Sequence, residues 1–191
     1  WMVHSFPTRR SSDLLKPKDE GRAYLSGRDF DVDRLYKKFG VTWCVDSRYS
    51  LARNRITIPV FEKGKLKGWQ CRFPADLDWK GPKKKELPPK YFSCPGAHFR
   101  SKCIYNFDEM KKWETGIIVE GPSDVWRFGM MAGCIFGNTV TEIQRKKLLS
   151  AFSKRTLVML LDPEEFDSKN VRRNVTYLEG RMPGRFCAVK L

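Results

Sequence analysis

Between residues 115 and 191, short apolar runs alternate with helical patterns. This alternation constrains the fold more than any other feature of the chain. Residues 116–119 form a short, fully apolar strand pattern. Residues 123–131 read as a helix with Val125, Trp126 and Phe128 facing inward, and residues 134–136 as a second short strand. Thr139-Val140-Thr141-Glu142 reads as a capping box that opens a helix through Phe152. The run TLVMLL at 156–161 is a third strand, and residues 186–189 begin a fourth. Between them, Asp167 or Ser168 caps a helix that carries Val171, Val175 and Leu178 on one face. Strands that lack polar alternation are buried on both sides, so the pattern predicts a parallel sheet covered by helices on both faces. No internal repeat is visible.

Upstream the texture differs. Residues 31–39 place Val32, Leu35, Tyr36 and Phe39 at helical spacing, and Gly40 stops the helix. Residues 55–61 (RITIPVF) read as a strand, with Pro59 expected on an edge or at a bulge because it cannot donate a ladder hydrogen bond. Residues 62–65 form a turn and 66–73 the return strand of a hairpin. Residues 78–90 carry three prolines and five lysines without a period, and read as a mobile basic loop. Residues 91–103 read as irregular, with a turn at Pro95-Gly96.

The chain has 191 residues, of which 41% are hydrophobic and 13% aromatic, enough to bury a core. Lys and Arg number 37 against 22 Asp and Glu, a formal net charge of +15. A chain this basic is suited to a polyanion, above all nucleic acid. No apolar run approaches the roughly 18 residues of a membrane span. Six cysteines include no C-x-x-C pair, and His4 and His98 are the only histidines. Cys94, His98 and Cys103 do not have the spacing of a structural zinc site and lack a fourth ligand, so zinc is not expected. Cys44, Cys71, Cys134 and Cys187 lie in apolar contexts and are expected to be buried; scattered cysteines fit a reducing cytosol. Trp69, Tyr91, Phe92 and Phe99 are candidates for stacking on bases, with core packing as the alternative for each.

In parallel α/β sheets, ligands lie off the carboxyl ends of the strands, and two strands here end directly in acid. The first runs into Glu120-Gly121, with Asp124 one helical turn on; the third runs into Asp162-Pro163-Glu164-Glu165. Carboxylates on strand ends are oxygen ligands on a rigid frame, and Mg²⁺ needs only one or two of them when phosphates supply the rest. Glu120, Asp162 and Glu164 are therefore expected to converge on a site for a divalent cation such as Mg²⁺, serving phosphoryl or nucleotidyl transfer. Lys83, Lys84 and Lys85 are candidates for tracking a nucleic-acid backbone.

The segments Glu120-Gly121-Pro122-Ser123-Asp124, Phe136-Gly137-Asn138-Thr139 and Asp162-Pro163-Glu164 occur in the order of the EGxxD, glycine-threonine and DxD segments of a Toprim domain. The preceding residues agree with the subdomain before Toprim in bacterial and phage DNA primases. They are Arg55 to Val60, Gly68 to Arg72, Pro89 to Gly96, and Lys102 with Tyr105-Asn106. Over residues 22–191 the chain thus resembles the catalytic core of a DnaG-like primase. The resemblance implies a Rossmann-like, mostly parallel α/β Toprim domain at 114–191, truncated at its C-terminus, behind a smaller basic α+β subdomain at 15–113. Residues 1–14 contain SFPTRRSSDL, which resembles a translated sequencing adapter, and are set aside as non-native.

By motif position, Glu120 resembles the catalytic acid and metal neighbour, Asp162 and Glu164 the metal-binding pair, and Asp124 a supporting acid. Arg72, Lys90 and Lys102 resemble cations that face nucleotide or template, with Tyr91 beside them. The implied activity is template-directed synthesis of RNA primers from ribonucleoside triphosphates on single-stranded DNA, with a replicative helicase as a possible partner, in the cytoplasm of a bacterial or phage-infected cell. The sequence departs from the family at Glu164, where Asp is usual, at Pro163, and at Glu165-Phe166-Asp167, which replaces Ala-Gly. These departures keep open a non-catalytic, degenerate Toprim module of a primase-helicase. A different Toprim enzyme, a nuclease or topoisomerase, is the third reading.

Overall fold

A computed structural model describes residues 20–190. The expectation for residues 1–14 lies outside that range. The described chain divides into two units, one of residues 20–59 and 66–97, the other of residues 60–65 and 98–190. Residues 98–113, upstream of the domain boundary expected at 114, group with the second unit.

In the first unit, helix α1 (Glu20–Ser26) precedes helix α2 (Val32–Phe39). The α2 helix begins where the Asp31 side chain accepts the Arg34 N–H, and ends at Gly40 in the left-handed region (φ 66°). Four strands form an antiparallel-paired sheet in the order β1-β2-β3-β4: β1 (Thr42–Cys44), β2 (Arg55–Glu62), β3 (Lys65–Arg72) and β4 (Tyr91–Ser93). The hairpin turn is the expected one, at Lys63 (φ 53°) and Gly64 (φ 69°); left-handed conformation at both central residues matches the twist of the flanking strands. The structure corrects the expectation for Pro59, because β2 is an interior strand. Its β1 neighbour pairs only with Arg55–Thr57, so Pro59 sits beyond the end of that ladder, where no β1 carbonyl calls for its missing N–H.

Helix α1 and strand β1 are additional to the elements expected from the sequence. Gly21 lies inside α1, and a Cβ there would stand 2.2 Å from the Trp43 ring of β1. The glycine lowers helix propensity and hides the helix, yet close packing on Trp43 requires it. The basic segment 78–90 is folded into successive turns, closed at its base by Trp79 Nε1 donating to the Pro88 carbonyl at 2.8 Å.

The second unit opens with two short helices, α3 (Phe99–Lys102) and α4 (Phe107–Met110). Then β5 (Thr115–Val119), α5 (Pro122–Phe128), β6 (Ala132–Cys134), α6 (Glu142–Ala151), β7 (Thr156–Leu161), α7 (Pro163–Phe166), α8 (Lys169–Glu179) and β8 (Phe186–Lys190) alternate as expected. Every pairing in the sheet is parallel, and the order is β6-β5-β7-β8. Ile118, Leu148, Phe152, Leu157, Met159, Leu161 and Leu178 are among the residues that fill the core around it. The cap of α6 is two residues later than expected: the Thr141 side chain accepts the Gln144 N–H, and Gln144 Oε1 accepts the Thr141 N–H. Glu142 is thus the first helical residue, not the reciprocal partner of a cap. Ser168 caps α8. Phe128 and Cys187, expected inside, are exposed.

The sheet tolerates no extra volume at Gly116 of β5, where a Cβ would stand 2.3 Å from the ring of the fully buried Phe152. Overpacking of a closed core costs about 1–3 kcal/mol. Gly116→Ala should therefore lower the urea midpoint by an equivalent amount at unchanged m-value; an unchanged midpoint would show that Phe152 moves freely.

Candidate acidic rim and basic site

The register of the parallel strands sets the acidic rim. Ile117 and Ile118 of β5 lie opposite Val158 and Met159 of β7, so the two strands run side by side toward a common carboxyl end. Glu120 follows β5 directly and Asp162 follows β7 directly. The structure brings these two together: the Asp162 backbone N–H donates to Glu120 Oε1 at 3.3 Å. The Glu120 main chain is held from the other side, where the Gly137 N–H donates to the Glu120 carbonyl at 3.0 Å. Asp124 works on the same loop. Its Oδ2 accepts the Gly121 N–H at 3.1 Å, closing the first turn of α5 immediately after Glu120. Asp124 is thus a loop-setting acid.

Glu164 lies in α7, exposed, one residue beyond Pro163. Among the described residues, no group of three or more His, Cys, Asp or Glu side chains is arranged to hold a metal ion. The rim therefore presents the Glu120–Asp162 pair as its assembled element, and the three-carboxylate convergence expected from sequence is not preformed. The residues of the glycine-threonine segment complete the rim. Phe136 has a left-handed backbone (φ 60°), unusual for a bulky side chain. Its ring packs edge-on to Phe99 at 5.2 Å, and its carbonyl accepts Arg100 Nη2 at 3.1 Å.

In the first unit a basic site forms around Arg72, at the end of β3. Arg72 is only 5% exposed. Its Nε donates to the Tyr24 hydroxyl at 3.0 Å, and its Nη1 to the Tyr91 hydroxyl at 3.0 Å. Both tyrosine rings lie under the guanidinium, with centroids at 5.4 and 5.2 Å. Burial disfavours the charge, but the Tyr91 and Tyr24 oxygens outweigh it and hold the guanidinium above its ordinary range. Lys90 stands over the Trp79 ring at 5.5 Å. Partial burial and the neighbouring Arg72 push its ammonium below the usual lysine range, as expected where cations gather.

Three members of this site were missed in the sequence: Tyr24, Arg28 and Asp76. Arg28 pairs with Asp76 at 2.9 Å, and the Tyr24 hydroxyl donates to Asp76 at 3.0 Å. The four-residue step from Tyr24 to Arg28 was the available signal, but the glycine-containing segment did not read as a helix. Lys83, Lys84 and Lys85 are exposed on the turns of the 78–90 segment. Lys102 belongs to the second unit, where it ends α3 and its carbonyl accepts Lys147 Nζ at 2.5 Å. Of the stacking candidates, Tyr91 and Phe92 are half-buried, whereas Trp69 (1% exposed) and Phe99 (3%) are core residues and not base platforms.

Asp76 gives the basic site a pH signature. Partial burial pulls its carboxyl upward, but the Tyr24 hydroxyl and Arg28 prevail and hold it below the ordinary carboxylate range. A depressed carboxyl adds stability above its unfolded value near pH 4, and that stability is lost as the pH falls through the folded value. Denaturant titrations below about pH 4 should accordingly show a smaller acid loss in Asp76→Asn than in the natural protein. Parallel curves would remove Asp76 from the network.

No protein-family model matches the sequence, and no curated protein matches it. Solved structures do. The chain is similar to the catalytic core of DnaG, with a TM-score of 0.70 and 17% identity over 94% of this chain and 67% of that one. It is similar to the E. coli primase catalytic core, with a TM-score of 0.73 and 17% identity over 97% and 69%. A third match is the DnaG primase catalytic domain bound to single-stranded DNA, with a TM-score of 0.66 and 18% identity over 94% and 68%. The chain has the mixed α/β fold of the DnaG-like primase catalytic core, a helix-flanked parallel sheet together with an antiparallel one.

Proposed function

We propose that this chain is the catalytic core of a DNA primase, which extends an RNA primer on single-stranded DNA by metal-dependent nucleotidyl transfer. The observation that carries the reading is the Glu120–Asp162 pair, at the common carboxyl end of two parallel strands in a fold shared with primase cores. Nucleotidyl transfer needs the attacking hydroxyl and the triphosphate in line, and charge offset at the leaving pyrophosphate. A divalent cation supplies that offset and orients the phosphates when bound.

The residues fit such an ion. Ionised Glu120 and Asp162 are acceptor-only oxygen groups, the ligand type that a hard cation takes. Mg²⁺ is held by one or two carboxylates, with substrate oxygens completing its shell. Glu120 and Asp162 would hold the cation, and Glu164 would approach it from α7. Asp124 fixes the turn behind Glu120. Arg72, Lys90 and Tyr91, with Arg28, would bind phosphates of nucleotide or template, and Lys102 would add a cation in the second unit. Lys83, Lys84 and Lys85 would follow the DNA backbone. No helix among the described residues is long and apolar enough to cross a membrane.

A second reading is favoured by the exposed Glu164 behind Pro163: a degenerate domain that binds nucleic acid without priming. Two variants of the complete protein separate the readings. Glu120→Gln should abolish primer synthesis with Mg²⁺ or Mn²⁺ while DNA affinity changes less than about twofold, because the cations that bind phosphate are untouched. Glu164→Asp should preserve or raise synthesis. A natural protein that makes no primer with either metal, and gains none from Glu164→Asp, would establish the binding module instead.

The basic segment generates its own expectation. For single-stranded DNA, log affinity should fall against log salt with a slope of about −0.7 per phosphate neutralised. Replacing Lys83, Lys84 and Lys85 together should flatten that slope, as read by fluorescence anisotropy of a labelled oligonucleotide; an unchanged slope would make these turns a solvated connector.

A further inference from the structure

The α6–α8 face of the second unit holds a polar cluster that the acidic rim does not use. Arg145 of α6 donates through Nη1 to Asn174 Oδ1 of α8 at 3.4 Å. Asn174 is 3% exposed. Two donors of this one pair, Arg145 Nε and Asn174 Nδ2, are buried without a hydrogen-bond partner. Beside them the Tyr177 ring is flanked by two guanidiniums, with Arg145 at 4.5 Å and Arg181 at 3.8 Å from its centroid.

Each buried donor left unpaired costs about 1–3 kcal/mol, so two side by side are an unusual expense for a fold to carry. Both are donors, and one belongs to a cation. The chemistry that satisfies them together is an acceptor without hydrogens to donate, and a negative charge suits the guanidinium. Arginine's planar fork matches the oxygens of phosphate, and stacking on Tyr177 holds the two forks flat and limits their freedom before any ligand arrives. We infer that Arg145, Asn174 and Arg181 form a phosphate-binding subsite on the α6–α8 face, for a phosphodiester of single-stranded DNA or for free phosphate. It shares no residue with the nucleotide and template contacts proposed above and does not depend on catalysis at the rim.

The test uses the complete protein with Asn174→Asp and Arg145→Met. Asn174→Asp keeps the shape of the side chain and gives Arg145 an ionic partner, but its charge repels phosphate; circular dichroism confirms the fold. At matched ionic strength, phosphate should raise the melting temperature of the natural protein relative to chloride, and both variants should lose that rise. If DNA is the source, both variants should also weaken binding of a labelled oligonucleotide about tenfold, with a salt slope shallower by about 0.7. A phosphate effect alone assigns the subsite to free phosphate, and a DNA effect assigns it to the nucleic-acid backbone. If neither variant differs from the natural protein in either measurement, the inference is overturned and water satisfies the two donors. Glu120→Gln, carried in parallel, should leave both measurements unchanged, so a failed rim and a failed subsite give different results.

Discussion

The hydrogen bond from the Asp162 amide to the Glu120 carboxylate ties together everything proposed for the rim. It exists because β5 and β7 are parallel neighbours in a register that ends both strands at the same edge. Antiparallel pairing would put one acid at each end of the sheet. A register slip of one residue would turn the side chains of one strand to the opposite face. The rim thus depends on the core beneath it. Leu157, Met159 and Leu161 of β7 are buried, and Phe152 fills the space that Gly116 leaves open, which fixes β7 against β5.

The basic site rests on a different balance. A buried arginine must be compensated by good geometry, because desolvation of the ion costs several kcal/mol. Here two tyrosine hydroxyls and two aromatic faces surround Arg72, and Asp76 shares its charge between Arg28 and the Tyr24 hydroxyl. Asp76 also limits how much positive potential the cluster presents. The positive surplus of the site therefore comes from Lys90 and Arg28 as much as from Arg72.

The parallel half of the chain was legible because its strands carry a plain physical signal. Runs such as TLVMLL have no polar alternation, and the intervening helices are short enough to count. Glu120 and Asp162 were readable for the same reason: an acid that ends an apolar run has only one place to go. The antiparallel half gave less. Strand β1 is three residues long, below the length at which period-two alternation carries information. Helix α1 contains Gly21, chosen for the Trp43 contact and not for helix formation, so Tyr24 and Arg28 remained hidden. Trp69 and Phe99 were ambiguous because an aromatic ring serves a core and a base equally well, and only burial separates the two. The Arg145–Asn174 pair was beyond sequence reasoning, since its partners are 29 residues apart on different helices.

The central claim is that the Glu120–Asp162 pair holds a divalent cation, and direct detection of bound Mn²⁺ tests it without reliance on turnover. Electron paramagnetic resonance of free Mn²⁺, titrated into the complete protein, reports the bound fraction. The account predicts that the natural protein depletes the free signal, that Mg²⁺ restores it by competition, and that Glu120→Gln and Asp162→Asn each weaken Mn²⁺ binding at least about tenfold, as loss of a charged ligand requires. Equal Mn²⁺ binding by the natural protein and both variants would contradict the account, because the cation would then sit elsewhere.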